Sequence, residues 1–195
     1  MNSQQLRKTI RARRRQLTQQ TQLAHSRLMA CNAASYHPLH HCKRIAFYFA
    51  ANGEIDPLPL IDRARAAGKH CYFPVLRERP SKSLWFAELK TAQPIKLNRF
   101  GIPEPSNHHR QITMPWGLDL IILPLVAFDL SGNRLGMGGG FYDRTLSFKL
   151  TRSHWQGPKL IGLAHELQKV RRLPVNAWDI PLDAVITEKQ LYKFK

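Results

Sequence analysis

The sequence predicts an α/β fold: one three-layer domain over residues 1–195, with a mostly parallel sheet flanked by helices. Three observations point there. Short, nearly continuous apolar runs recur at KRIAFYFA (43–50), KHCYFPV (69–75), LDLIILPLVAFD (118–129) and KLIGLA (159–164), as expected of strands buried on both faces. The first two runs and the last two are each separated by a helical stretch, which gives two strand–helix–strand units of the kind that close a parallel, right-handed crossover. A glycine cluster follows the third run, at the carboxyl end of its strand, where open α/β sheets bind ligands.

The first 35 residues read as one long helix, because Leu6, Ile10, Leu17, Ala24 and Leu28 form a stripe at helical spacing. Arg7, Arg11 and Arg14 share a neighbouring face. They make either a solvated basic face beside the core seam, which composition alone favours, or a row of guanidinium groups facing phosphates. Pro38 breaks the helix, and a strand occupies 43–50. Asp56 and Pro57 then form an N-cap and first-turn pair, with Gly68 as the stop of the helix they begin. Strands follow at 69–75 and 84–89. Residues 99–117 are proline-rich and read as a long irregular connection of the kind that often carries function. The strand at 119–126, a helix from about Phe141 and the strand at 159–164 complete the second crossover, and a last strand falls near Ala184–Thr187.

Thirty Lys and Arg against thirteen Asp and Glu give a formal charge of +17. Such a field attracts nucleic acid, anionic membrane or multiply charged small molecules. No RNP motif, helix-turn-helix signature or C2H2 spacing accompanies the charge, which argues against nucleic acid, though the charge alone keeps that partner open. No apolar run approaches the ~20 residues of a membrane span, and the basic N-terminus lacks the apolar core of a secretory signal. Three cysteines without C-x-x-C spacing fit a reducing cytoplasm.

The motif with most chemistry in it is NRLGMGGGFYDRTL, Asn133 to Leu146. Glycines permit φ > 0 and close approach to the backbone, and successive N–H groups can form an anion-binding concavity. Neither the Walker pattern nor the dinucleotide fingerprint fits: no Lys–Ser/Thr pair follows the glycines, and Phe141 stands where the fingerprint needs glycine. By itself, without the flanking charges, the cluster reads as a mobile surface turn.

The stretch NRLGMGGGFYDR resembles the R-[LI]-G-x-G-x-G-[YF]-Y-D signature of the 5-formyltetrahydrofolate cyclo-ligase family, and LRKTIRARRR, GEID, FGIPEP, LIILPLVAFD and WDIPLD occur in the family's order along essentially the whole chain. The resemblance implies a single α/β domain that uses MgATP to turn 5-formyltetrahydrofolate into 5,10-methenyltetrahydrofolate with release of ADP and phosphate; a monomer is the expected state, which the sequence does not itself determine. It implies an ATP site formed by Arg7, Arg11, Arg134, Leu135, Gly136, Met137, Gly138, Gly139, Gly140, Phe141 and Tyr142. It assigns folate contacts to Phe49, Glu54 and Met137–Phe141, magnesium ligands to Asp143 and Asp179, and catalytic roles to Arg134 and Asp143. The chain departs from the family in three places. Ser3 stands where relatives often carry a phosphate-binding lysine, with Lys8 or Arg11 as substitutes. Phe141 replaces a common tyrosine. Gly139 stands where some relatives have lysine.

Overall fold

The structure is a computed structural model that describes residues 2–76, 83–90, 94–98, 101–106, 112–151 and 157–194. Parts of the predicted 99–117 connection therefore lie outside the described residues.

The N-terminal segment is two helices, α1 (Ser3–Arg15) and α2 (Gln19–Asn32), where the sequence predicts one. Thr18 is the reason: its hydroxyl accepts from the Thr21 N–H at 3.1 Å and starts a new helix. An Asn2–Gln5 capping box opens the first. The break resets the apolar stripe. Ile10 and Arg14 are the buried residues of α1, α2 buries Ser26, Met29 and Ala30, and the expected Ala24 and Leu28 lie exposed. Pro38 sits in the first turn of a short helix, α3 (His37–His41), where its missing N–H costs nothing.

Strand β1 (Arg44–Ala46) leads to α4 (Leu58–Ala66), β2 (His70–Leu76) and β3 (Leu84–Glu88). Asp56 accepts from the Leu58 N–H at 2.9 Å, and Gly68 ends the segment at φ +70°. A small ribbon of β4 (Ile95–Leu97) and β5 (Pro103–Pro105) precedes β6 (Ile112–Thr113) and the central β7 (Leu120–Pro124). The hairpin β8 (Ala127–Phe128) and β9 (Arg134–Leu135) carries the glycine loop into α5 (Phe141–Leu146) and α6 (Phe148–Thr151). Strands β10 (Lys159–Leu163), β11 (Ala184–Ile186) and β12 (Leu191–Lys193) follow. The sequence reading contains no counterpart of β12.

The main sheet runs β12-β11-β10-β7-β1-β2-β3-β6. Its five central strands are parallel, and antiparallel strands close both edges. Period-two alternation separates two cores. Ile45, Phe47, Phe73, Ile122 and Ile161 pack with α2 and α4 residues on one face, while Ala46, Phe86, Ile121, Leu123 and Leu160 pack with Leu146 of α5 on the other. Helix α1 seats Ile10 and Leu6 against Val126, Ala127 and Leu135 of the hairpin region. The chain winds one way from β1 to β2 and the other way from β7 to β10 and β11. Adjacent β1 and β7 therefore flank a topological switch point, and the crevice beyond their carboxyl ends is where such sheets accommodate ligands.

Candidate active site

Two loops leave the carboxyl ends at that switch point. From β7 comes the glycine loop, whose base is tied down by a buried carboxylate. Asp129 is 1% exposed and accepts from the N–H groups of Ser131, Asn133 and Leu173 and from the Asn133 amide at 2.9–3.1 Å. That fixes the hairpin immediately before Arg134. The Arg134 guanidinium, 5% exposed, donates to one oxygen of Asp143 and to the Ile180 carbonyl. It thereby joins the glycine loop, α5 and the WDIPLD segment. Gly138 (φ +97°) and Gly140 (φ +62°) hold conformations that side chains disfavour, and a Cβ on Gly140 would meet the Arg144 guanidinium at 2.9 Å.

From β1 comes the turn that carries Glu54, a sharp one with Asn52 at φ +52° and the Ala51 N–H donating to the Glu54 carboxylate at 3.1 Å. Phe49, just upstream, stacks on Phe73 with centroids 4.5 Å apart.

Helix α1 bridges the two loops. The Arg7 Nε donates to the Gly136 carbonyl at 2.8 Å, and its guanidinium lies against Gly138. One helical repeat along, Arg14 is fully buried; its Nε donates to the Asn52 carbonyl at 3.1 Å, and its Nη2 lies 3.8 Å from Glu54. Both Nη atoms of Arg14, and Nε of Arg11, are buried without hydrogen-bond partners. Buried cationic donors left unsatisfied are costly, and the charge that faces Arg14 is the Glu54 carboxylate. The arginine row is thus an inward-facing wall, which corrects the solvated-face reading from composition. Lys8 is exposed and Arg11 half-buried, so of the two residues named as substitutes for the family lysine, Arg11 is the one turned inward.

The electrostatics tie these groups together. Burial lowers the Arg134 pKa, opposed by Asp143 and then Asp179. Burial raises the Glu54 carboxyl above its usual range, opposed chiefly by Arg14. Burial also raises the Tyr142 phenol, which senses the Glu54 carboxylate and the Arg134 guanidinium together. Tyr142 and Arg134 thus join the glycine loop electrostatically to the Glu54 turn. The Asp143 and Asp179 carboxylates act on one guanidinium. Arg134 takes one Asp143 oxygen, and Asp179 gives one oxygen to the N–H of Asn176 at 2.8 Å. The second oxygen of each is a hard donor, and two such donors fit Mg2+, which prefers one or two carboxylates beside phosphate and water.

Among the residues expected from sequence, Arg7 meets the glycine loop at Gly136 and Gly138, Arg134 ties that loop to Asp143 and to Ile180 beside Asp179, and Glu54 faces the α1 arginines Arg14 and Arg11. Phe49 lies at the root of the Glu54 turn. Sequence reasoning set Arg14 in the arginine row without assigning it to the site, and it missed the anchoring by Asp129. Arg14 had a signal, since it follows Arg7 by seven residues and so returns to the same helix face. Asp129 had none, because its partners are mostly backbone N–H groups.

The 5-formyltetrahydrofolate cyclo-ligase family model matches residues 1–188. The chain is 40% identical over 187 residues to the 5-formyltetrahydrofolate cyclo-ligase of Escherichia coli strain K12, covering 95% of this chain and 100% of that one. It is 40% identical over 181 residues to the corresponding enzyme of Haemophilus influenzae, covering 92% and 94%. Among solved structures, the Aquifex aeolicus 5,10-methenyltetrahydrofolate synthetase superposes with a TM-score of 0.81 at 30% identity, covering 100% of this chain and 94% of that one. The synthetase of Mycoplasma pneumoniae gives 0.74 at 25% identity, covering 96% and 99%. The chain belongs to the 5-formyltetrahydrofolate cyclo-ligase family.

Proposed function

We propose that this protein converts 5-formyltetrahydrofolate to 5,10-methenyltetrahydrofolate at the expense of MgATP, releasing ADP and phosphate. The observation that carries this reading is the convergence of a phosphate-suited glycine loop, an arginine wall and a buried carboxylate at one switch point. Phosphoryl transfer asks a protein mainly for positioning and neutralisation of charge, and those are what this crevice offers.

Arg134 is the fixed donor fork for the transferring group, since its own contacts to Asp143 and Ile180 hold the guanidinium plane. Arg7 is braced by the Gly136 carbonyl, so its remaining N–H donors can reach phosphate oxygens beside the loop. Arg11 adds a second cation from the same helix. Asp143 and Asp179 would hold Mg2+, which when bound supplies charge neutralisation across the β- and γ-phosphates. Loop N–H groups from Gly136 to Gly140 cradle the phosphates. On the folate side, Glu54 accepts hydrogen bonds from the polar edge of the pterin. Arg14, itself fully buried, balances its charge and holds the turn that carries it through the Asn52 carbonyl. Phe49 and Met137, the latter 45% exposed, offer apolar contact.

In this reading the formyl oxygen attacks the γ-phosphorus and ADP leaves. The resulting phosphorylated imidate is attacked by N10, the five-membered ring closes, and phosphate departs. The basic surface speeds encounter with two anionic substrates.

The test is direct. Purified protein with MgATP and 5-formyltetrahydrofolate should generate the conjugated, near-ultraviolet-absorbing product with ADP formed one for one. Omitting ATP or chelating magnesium should stop both. Tight RNA binding with no turnover, in a folded preparation, would reject the reading in favour of a nucleic-acid partner.

A further inference from the structure

Against the Gly53 carbonyl of the Glu54 turn, three residues from distant parts of the chain meet. They are His25 on α2, His165 just after β10, and Glu188 after β11. Their ligand atoms lie within 4.8 Å of one another. His25 Nδ1 is 3.0 Å from His165 Nδ1 and 3.6 Å from a Glu188 carboxylate oxygen. Two ligands on a tetrahedral zinc at ~2.0–2.1 Å sit about 3.3 Å apart, so both separations fall near the value a shared ion requires.

The protonation pattern is fixed by partners outside the cluster. His165 is fully buried, and its Nε2 faces the Gly53 carbonyl at 3.2 Å. A carbonyl only accepts, so the proton is on Nε2 and the lone pair on Nδ1, aimed at His25. A ligating imidazole commonly carries this same outer contact, its far N–H donated to a backbone carbonyl. Glu188 is likewise held, its other oxygen accepting from the Glu166 N–H at 2.9 Å. Two imidazoles and one carboxylate suit a divalent ion of the zinc class and are a poor set for Mg2+, which prefers oxygen.

We propose that His25, His165 and Glu188 form a binding site for a zinc-class divalent cation, separate from the carboxylates of Asp143 and Asp179. The ion straps α2 to the turns after β10 and β11, beside Gly53.

Untagged full-length protein would be titrated with Co2+, read by its visible d–d absorption, and with Zn2+ in competition. Another histidine pair, His37 and His41, has Nε2 atoms 3.2 Å apart on the surface, so the titration is run in a His37→Gln/His41→Gln background. The expected result is one Co2+ per chain with a tetrahedral-type spectrum, displaced by Zn2+ and untouched by excess Mg2+. Adding His25→Ala, a half-exposed helix position that alanine suits, should weaken binding by about 10–100-fold or more, and Glu188→Gln should also weaken it. Binding unaffected by either substitution, or lost on adding Mg2+, or no stoichiometric Co2+ binding to folded protein, would overturn the proposal. The readout does not involve turnover, so its outcome is independent of the folate reading.

Discussion

The Arg14–Glu54 pair gives the sharpest test of why the crevice is built as it is. At 3.8 Å and an effective dielectric near 20, the two charges attract by ~4 kcal/mol. Against this stands desolvation, an effective penalty of several kcal/mol for each buried ion. The balance is visible in the titration of both partners: burial is the largest influence on each, and it lowers Arg14 and raises Glu54 despite their mutual attraction. Two Nη atoms without hydrogen bonds add to the cost. The pair therefore opposes folding of the free protein. Replacing both residues together, as Arg14→Met/Glu54→Gln, keeps the volume and removes the charges. It should leave the ligand-free protein as stable or more stable, by up to ~1–4 kcal/mol, with the melting temperature rising about 2–4 °C per kcal/mol. The measurement is urea unfolding without ligand. The pH dependence supplies a second check. Glu54 is raised in the folded state, so the wild type regains stability as pH falls through its folded value toward the ordinary glutamate range. The gap between variant and wild type should narrow on acidification. If the pair is kept for ligand, turnover must suffer: charge-assisted hydrogen bonds contribute ~1.5–3 kcal/mol, so kcat/KM for 5-formyltetrahydrofolate should drop about 10- to 150-fold. A double variant clearly less stable than wild type would refute the electrostatic reasoning, and one with unchanged turnover would refute the ligand role.

Further outcomes follow from the same geometry. Arg134→Lys keeps the charge but cannot reach Asp143 and the Ile180 carbonyl as one planar fork, so kcat/KM for ATP should fall at least tenfold; an unchanged value would make Arg134 peripheral. Asp143→Asn should remove most MgATP-dependent turnover while circular dichroism stays native, and near-wild-type activity at saturating magnesium would end its assignment to the metal. Glu54→Gln alone should impair folate handling more than ATP handling, and steady-state kinetics with each substrate varied would reveal the opposite bias if Glu54 serves the nucleotide. In the sheet, a Cβ on Gly162 would lie 2.5 Å from a Leu125 methyl and 2.9 Å from a Leu182 methyl, so Gly162→Ala should cost ~1–3 kcal/mol by overpacking, read by denaturant midpoint with the slope unchanged.

How much of this was legible in the sequence depends on which force set each feature. The parallel centre was legible because burial on both faces leaves its mark as continuous apolar runs, and the crossovers because Asp56, Pro57 and Gly68 punctuate the first helix. The edge strand β12 was not, since Leu191 and Tyr192 are half-exposed, Lys193 is exposed, and all three gain strand geometry from pairing with β11, a contact that no local pattern encodes. The helix break at Thr18 lost to an apolar periodicity that continued by chance across it. The site divides the same way. Its glycine loop is local, so it could be read as a motif; its convergence with Glu54 is a property of strand order, since β1 and β7 are some seventy residues apart in sequence and adjacent only in the sheet. The arginine row shows the limit most clearly. A basic helix face has the same composition whether it meets water or a ligand crevice. What decides is the surface it docks on, and Ile10 and Leu6 choose that surface by packing against the hairpin. Two apolar residues thereby turn Arg7, Arg11 and Arg14 inward, which accepts a cost in folding stability for cations already in place when an anionic ligand arrives.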